Sequence, residues 1–272
     1  MSDQEFETPG SGNADLMNFV SKVPAVTLVF WIIKILATTL GETGGDAVTM
    51  SWLGETTAEA TGTGYIIGTA IFGTIFIVVV LIQMRASKFH PLLYWFTIVA
   101  TTTVGTTMAD YLTRSLGIGY AGGSAILLAC VIASLLVWLW STGSISVETV
   151  NTPKVEIFYW VTIMFSQTLG TALGDWVADN DALGYLGAAA IFGGILLITV
   201  LLYFFTNISR ALLFWIAFIT TRPLGAVVGD FLDKPVEHGG LELSRYTATA
   251  VLLVLIVALI FIFPQKASEE SH

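Results

Sequence analysis

A chain of 272 residues that is 55% apolar and 11% charged, with a mean hydropathy of +0.80, has the composition of a polytopic membrane protein. A net charge of −9 with no run of Lys or Arg argues against nucleic acid as a partner, because nothing would neutralise phosphates. The single cysteine, Cys130, sits in an apolar run, which excludes a disulfide framework and a cysteine-based metal site.

Residues 1–22 are polar and acidic, with Asp3, Glu5, Glu7 and Asp15. They lack the positive start of a signal peptide and read as a disordered cytoplasmic tail. Eight apolar runs follow, each near the roughly 20 residues that a bilayer crossing takes: 23–46, 64–84, 91–112, 119–140, 154–177, 184–205, 208–231 and 243–263. Residues 23–265 therefore make one transmembrane domain, and 266–272 a C-terminal tail. The expected fold class is all-α: a polytopic membrane protein of eight transmembrane helices, built as four parallel two-helix repeats over about 23–84, 91–140, 153–205 and 208–263.

The repeat is written in its residues. Phe30-Trp31, Tyr94-Trp95, Tyr159-Trp160 and Phe214-Trp215 each lead to a glycine (Gly41, Gly105, Gly170, Gly225) and then to an aspartate (Asp46, Asp110, Asp175, Asp230). Two crossings per unit give these four helices one direction, with each Asp about 22 Å above its Trp. The carboxylates therefore share a depth, and form a ring if the helices surround a common axis. The second helix of three units opens on Gly64-Tyr65, Gly119-Tyr120 or Gly184-Tyr185, with Arg245-Tyr246 in the fourth place; tyrosine there reads as an interfacial anchor. Lys22, Arg85, Lys88, Lys154, Arg210 and Lys266 fall on the side of the termini, against Arg114, Lys234 and Arg245 on the other. That bias places both termini in the cytoplasm.

Gly41 and Gly45, Gly170 and Gly174, and Gly225 and Gly229 are small-xxx-small pairs, as are Gly105 and Ala109, which lets helix backbones approach closely. The same glycines could instead unwind the helix before Asp and expose carbonyls to an ion. A carboxylate inside a span costs about 2.5 kcal/mol or more at the bilayer centre and marks an interior or a water path. Asp46, Asp110, Asp175 and Asp230 are therefore the candidate ion or metal ligands, with Glu42 assisting and Thr39, Thr103, Thr168 and Gln167 supplying neutral oxygen along the approach. Oxygen donors without His, Cys or Met suit a hard cation or a proton. Lys34 shares a helix face with Glu42, and Arg222 with Asp230, so both cations are expected to balance buried carboxylates.

No phosphate-binding loop, zinc-protease or serine-hydrolase motif is present, and the histidines lie in loops or tail, so an enzyme is not expected, nor is a bound cofactor. The fourfold aromatic-Trp, Gly and Asp unit over residues 23–263 resembles an uncharacterised family of bacterial integral membrane (membrane-anchored) proteins built of four tandem two-helix repeats with a Trp in each. The resemblance implies a bacterial inner-membrane protein. The function expected from the carboxylates is secondary transport of a small cation, such as manganese exchanged for protons, with the lipid bilayer and that cation as partners and homo-oligomers open. The alternatives are a non-transporting scaffold or assembly factor, and an organic-anion or osmolyte carrier using Lys34 and Arg222.

Overall fold

The computed structural model describes residues 21–268; the acidic stretch with Asp3, Glu5, Glu7 and Asp15 lies outside the described residues. Among them the chain forms eight long helices: α1 (Leu28–Asp46), α2 (Thr63–Arg85), α3 (Pro91–Asp110), α4 (Gly119–Thr142), α5 (Pro153–Ala178), α6 (Gly184–Phe205), α7 (Arg210–Asp233) and α8 (Arg245–Ile262). Local chemistry sets their starts. Thr27, Thr152, Ser209 and Ser244 each accept a backbone N–H from the first turn, and Pro91 and Pro153 occupy first helical positions where no N–H is needed. Seven of the helices are long and apolar enough to cross a membrane; α5 is the exception, because Glu156, Gln167, Asp175 and a series of hydroxyls dilute its apolar content. Helices satisfy their own backbone groups, which is what a bilayer interior demands.

The odd-numbered helices form a closed inner ring in which α1 packs on α3, α3 on α5, α5 on α7, and α7 back on α1. Each even-numbered helix leans on the inner helix of the following unit: α2 on α3, α4 on α5, α6 on α7, and α8 on α1. The ring is thus closed from outside as well as inside. Outer-helix side chains such as Ile77, Leu136, Leu197 and Val254 are exposed, an apolar belt of the kind that lipid covers.

Four glycines hold the inner ring together. A Cβ on Gly41 would stand 2.4 Å from Thr102 Cβ, on Gly105 2.8 Å from Gln167 Cβ, on Gly170 2.5 Å from Arg222 Cβ, and on Gly225 2.5 Å from Thr38 Cβ. Thr38, Thr102, Gln167 and Arg222 all lie three residues before their own glycine, so each helix meets its neighbour in one register and the four run parallel. The helices do not unwind before Asp. α1 and α3 continue through their glycines and widen into π-helix only after the aspartate, at Ala47–Trp52 and Tyr111–Ser115. Close packing, not carbonyl exposure, is therefore what these glycines serve.

The end of the bundle that carries the termini is closed by rings. Phe30, Tyr94, Tyr159 and Phe214, with Trp95, Trp160 and Trp215, are buried together, and the Tyr94 and Tyr159 hydroxyls hydrogen-bond at 2.6 Å. The segment before α1 is strapped across this end. Ser21 Oγ donates to the Val147 carbonyl, Lys22 Nζ pairs with Glu156 at 2.6 Å, and Ser268 N donates to the Val23 carbonyl. Residues 21–22 and 266–268, expected as tail, are thus packed structure. Of the Tyr anchors, Tyr65 differs from expectation in being buried against the inner ring, whereas Tyr246 is exposed.

The glycine interlock predicts a contrast. Gly105→Ala, whose methyl would meet the Gln167 backbone carbon at 2.9 Å, should lower stability by about 1–3 kcal/mol. Gly193→Ala, with nothing within 4 Å, should leave it unchanged or raise it. Thermal unfolding of the two variants in detergent measures the difference.

Candidate functional site: a carboxylate cluster on the ring axis

Steps of about four residues along each inner helix return to the same face, so the ring axis is lined in layers. The layer of Lys34, Ile98, Ile163 and Phe218 is followed by Thr38, Thr102, Gln167 and Arg222, then by Glu42, Thr106, Thr171 and Ala226, then by the four aspartates; every one of these side chains is buried. Polarity therefore rises along the axis away from the termini.

Arg222 binds the layers together. Its stem lies on Gly170, and its Nη2 reaches the next layer, where Ala226 is the small residue of its own helix. There Nη2 donates to Glu42 Oε2 at 3.0 Å, to Thr106 Oγ1 at 2.7 Å and to the Thr171 hydroxyl. One fully buried guanidinium thus touches all three other inner helices. Thr106 Oγ1 also donates to the Gly41 carbonyl at 3.1 Å, tying α3 to α1 at the same level.

The aspartates are held in two pairs. Arg114 spans Asp110 (2.7 Å) and Asp175 (3.2 Å), while Lys234 joins Asp230 (3.0 Å) to Asp46. Arg114 and Lys234 each lie four residues after the aspartate of their own unit. The first and third units have Met50 and Asp179 in that place, so the fourfold ring carries a twofold pattern of cations. Asp233 extends the cluster, with Lys234 at 3.8 Å and Arg245 at 3.2 Å. Burial disfavours the charged form of Lys234, but Asp230, Asp46 and Asp233 outweigh it and hold its pKa above the usual lysine range. Carboxylate oxygens of Glu42, Asp175 and Asp230 lie within 4.8 Å of one another, as do those of Asp46, Asp230 and Asp233. Asp230 belongs to both groups. Such all-oxygen sets suit a hard divalent cation.

The structure places the sequence-derived candidates as follows. Asp46, Asp110, Asp175, Asp230 and Glu42 come together. Thr39, Thr103 and Thr168 do not join them; each hydroxyl donates to the carbonyl four residues back, on Ile35, Val99 and Met164. Thr106 and Thr171, one residue past their glycines, take the axial place instead. Gln167 is axial, beside Arg222, with both amide atoms unpartnered. Arg222 balances Glu42 across the α7–α1 contact rather than Asp230 on its own helix. Lys34 balances no carboxylate: it sits two layers below Glu42, with Nζ 4.1 Å from the centre of the Phe218 ring. In the sequence Arg114, Lys234 and Arg245 count only as charges on the far side, and Asp233 is not singled out. The four-residue spacing from Asp110 to Arg114 and from Asp230 to Lys234 was the signal that could have identified two of them.

Compared with known families, the chain matches the model of a Repeat of Unknown Function (DUF347) four times, over residues 29–89, 93–144, 158–209 and 213–264. The matches coincide with the four units read above. No curated protein and no solved structure matches the chain.

Removing one member of a buried ion pair leaves the other uncompensated, at a cost of about 3–5 kcal/mol. Lys234→Met should therefore destabilise the protein strongly in thermal unfolding, and Asp46→Asn added to it should recover part of the loss. Arg114→Met should cost less, because its own side chain is 35% exposed, so solvent already screens the pair and water can enter the place it leaves.

Proposed function

This chain belongs to the DUF347 repeat family, and from that premise we propose that it is a secondary transporter of a small cation, a divalent metal such as manganese exchanged for protons. The observation that carries the reading is a charge imbalance. Six buried carboxylates (Glu42, Asp46, Asp110, Asp175, Asp230 and Asp233) share four cations (Arg114, Arg222, Lys234 and Arg245). With every group ionised, two negative charges would be left over in a low-dielectric interior, where uncompensated charge is costly. One divalent cation or two protons offsets them, which is the stoichiometry of a metal–proton exchange.

The ion pairs define how such an exchange would run. A cation arriving at the aspartates replaces Arg114 or Lys234 on a shared carboxylate, and the displaced side chain returns when the cation leaves. Arg114, the more exposed of the two, lies toward solvent at the mouth of the cluster. Asp230, common to both carboxylate groups, is the residue through which an ion passes inward toward Glu42. The aromatic rings at the opposite end keep the axis closed there, as alternating access requires of one face at a time.

In this reading the protein lies in a bacterial inner membrane with both termini cytoplasmic. The charge bias supports it more strongly than a residue count does: Arg114, Lys234 and Arg245 are all tied to aspartates, which leaves the far-side loops with little free positive charge. A scaffold role is the second reading, favoured by the fact that every aspartate of the ring has a cationic partner.

Proteoliposomes separate the two. Wild-type protein should take up manganese when a proton gradient is imposed, and Asp110→Asn and Asp175→Asn should each reduce uptake by at least tenfold at undiminished expression. Full uptake in both variants removes the transport reading. A wild type without flux, and variants altered in thermal stability alone, would establish the scaffold.

A further inference from the structure

Below the carboxylate cluster the axis holds a second group of buried polar atoms that the cation reading does not use. Lys34 is fully buried at the level of Ile98, Ile163 and Phe218. Its Nζ has no hydrogen-bond partner. Phe218, whose ring lies 4.1 Å from Lys34 Nζ, is one turn before Arg222 on α7, so Lys34 and Arg222 belong to adjacent layers of the axis. On the Arg222 side, Nε and Nη1 are buried without partners, because Glu42 and the threonine hydroxyls engage Nη2 alone. Gln167, also fully buried and in the Arg222 layer, leaves its Nε2 unpartnered.

We propose that Lys34, Arg222 and Gln167 bind a small monovalent inorganic anion of the chloride class on the ring axis. Their unpartnered donors come from three inner helices: α1 for Lys34, α5 for Gln167 and α7 for Arg222. Burying such donors unpaired is costly, and an anion among them satisfies several at once. Charge fixes the valence. Arg222 is offset by Glu42, so the charge an anion would match is the single one that Lys34 takes up on protonation. The surroundings fix the class. Ile98, Ile163 and Phe218 offer no replacement for a hydration shell, so a weakly hydrated halide enters at lower cost than phosphate or sulfate. The bound anion also has a consequence for the cluster above it: it screens two cations that would otherwise repel any metal ion moving along the axis.

The test uses the full-length protein in detergent with no metal present, so that its result is independent of uptake. Replacing gluconate by chloride at constant ionic strength should raise the thermal unfolding midpoint of the wild type by several degrees. Sulfate should not. Lys34→Met should lose the chloride response and Lys34→Arg should keep it. Radiolabelled chloride should bind the wild type at one ion per chain, and Gln167→Leu should weaken that binding about tenfold through loss of one donor to an anion. Absence of chloride binding to the wild type, or an equal chloride response in wild type and Lys34→Met, overturns the proposal. Manganese uptake by the aspartate variants, measured at fixed chloride, bears on the transport reading alone.

Discussion

The close approach of inner helices at Gly41, Gly105, Gly170 and Gly225 is the constraint on which the rest of the structure depends. Each glycine receives the side chain three residues before the equivalent glycine of the next helix, around the ring and back to the first. In a bilayer, helices gain little from hiding apolar surface, because lipid is as apolar as they are; close packing and interhelical hydrogen bonds drive association instead. Four equivalent contacts fix both spacing and register, and equal register puts equivalent residues in common layers. The aspartate ring, the Arg222 hub and the aromatic closure are consequences of that alignment.

Within this nearly fourfold frame, the charges are distributed unequally. Glu42 and Arg222 occur in one unit each, and Arg114 and Lys234 in alternate units. A strictly fourfold ring of carboxylates would repel itself apart in a low dielectric. Placing a cation between the members of each pair, and the Arg222–Glu42 pair below, holds the ring together while leaving two carboxylate charges unmatched. Lys34 has the reverse condition, a cation without an acid, in the next layer but one. The axis thus carries an excess of acidic groups toward one end and an unpaired basic group deeper in.

The two ends of the axis differ in helix geometry and packing as well as in charge. Toward the termini, indole and phenol rings interlock, and the chain before α1 is bound to the segment after α8 by backbone hydrogen bonds. At the aspartate end, α1 and α3 loosen into π-helix immediately after Asp46 and Asp110. Wider helical turns of this kind recur at functional sites because they shift the residues that follow and relax local packing.

The sequence by itself determined the number, length and direction of the helices. Apolar run length reports bilayer crossing, and the even number of crossings per unit forces the four aspartates to one depth. It also picked out Asp46, Asp110, Asp175, Asp230 and Glu42, since ionisable residues inside spans are rare enough to be informative one by one. What only the tertiary structure decided is which groups face each other. That Arg222 meets Glu42 rather than Asp230, that Lys34 meets Phe218 rather than an acid, and that α2 leans on α3 all depend on the rotation of each helix about its own axis and on which helix lies beside it. Spacing along one chain encodes neither quantity; both are set when glycine on one helix admits a side chain from the next.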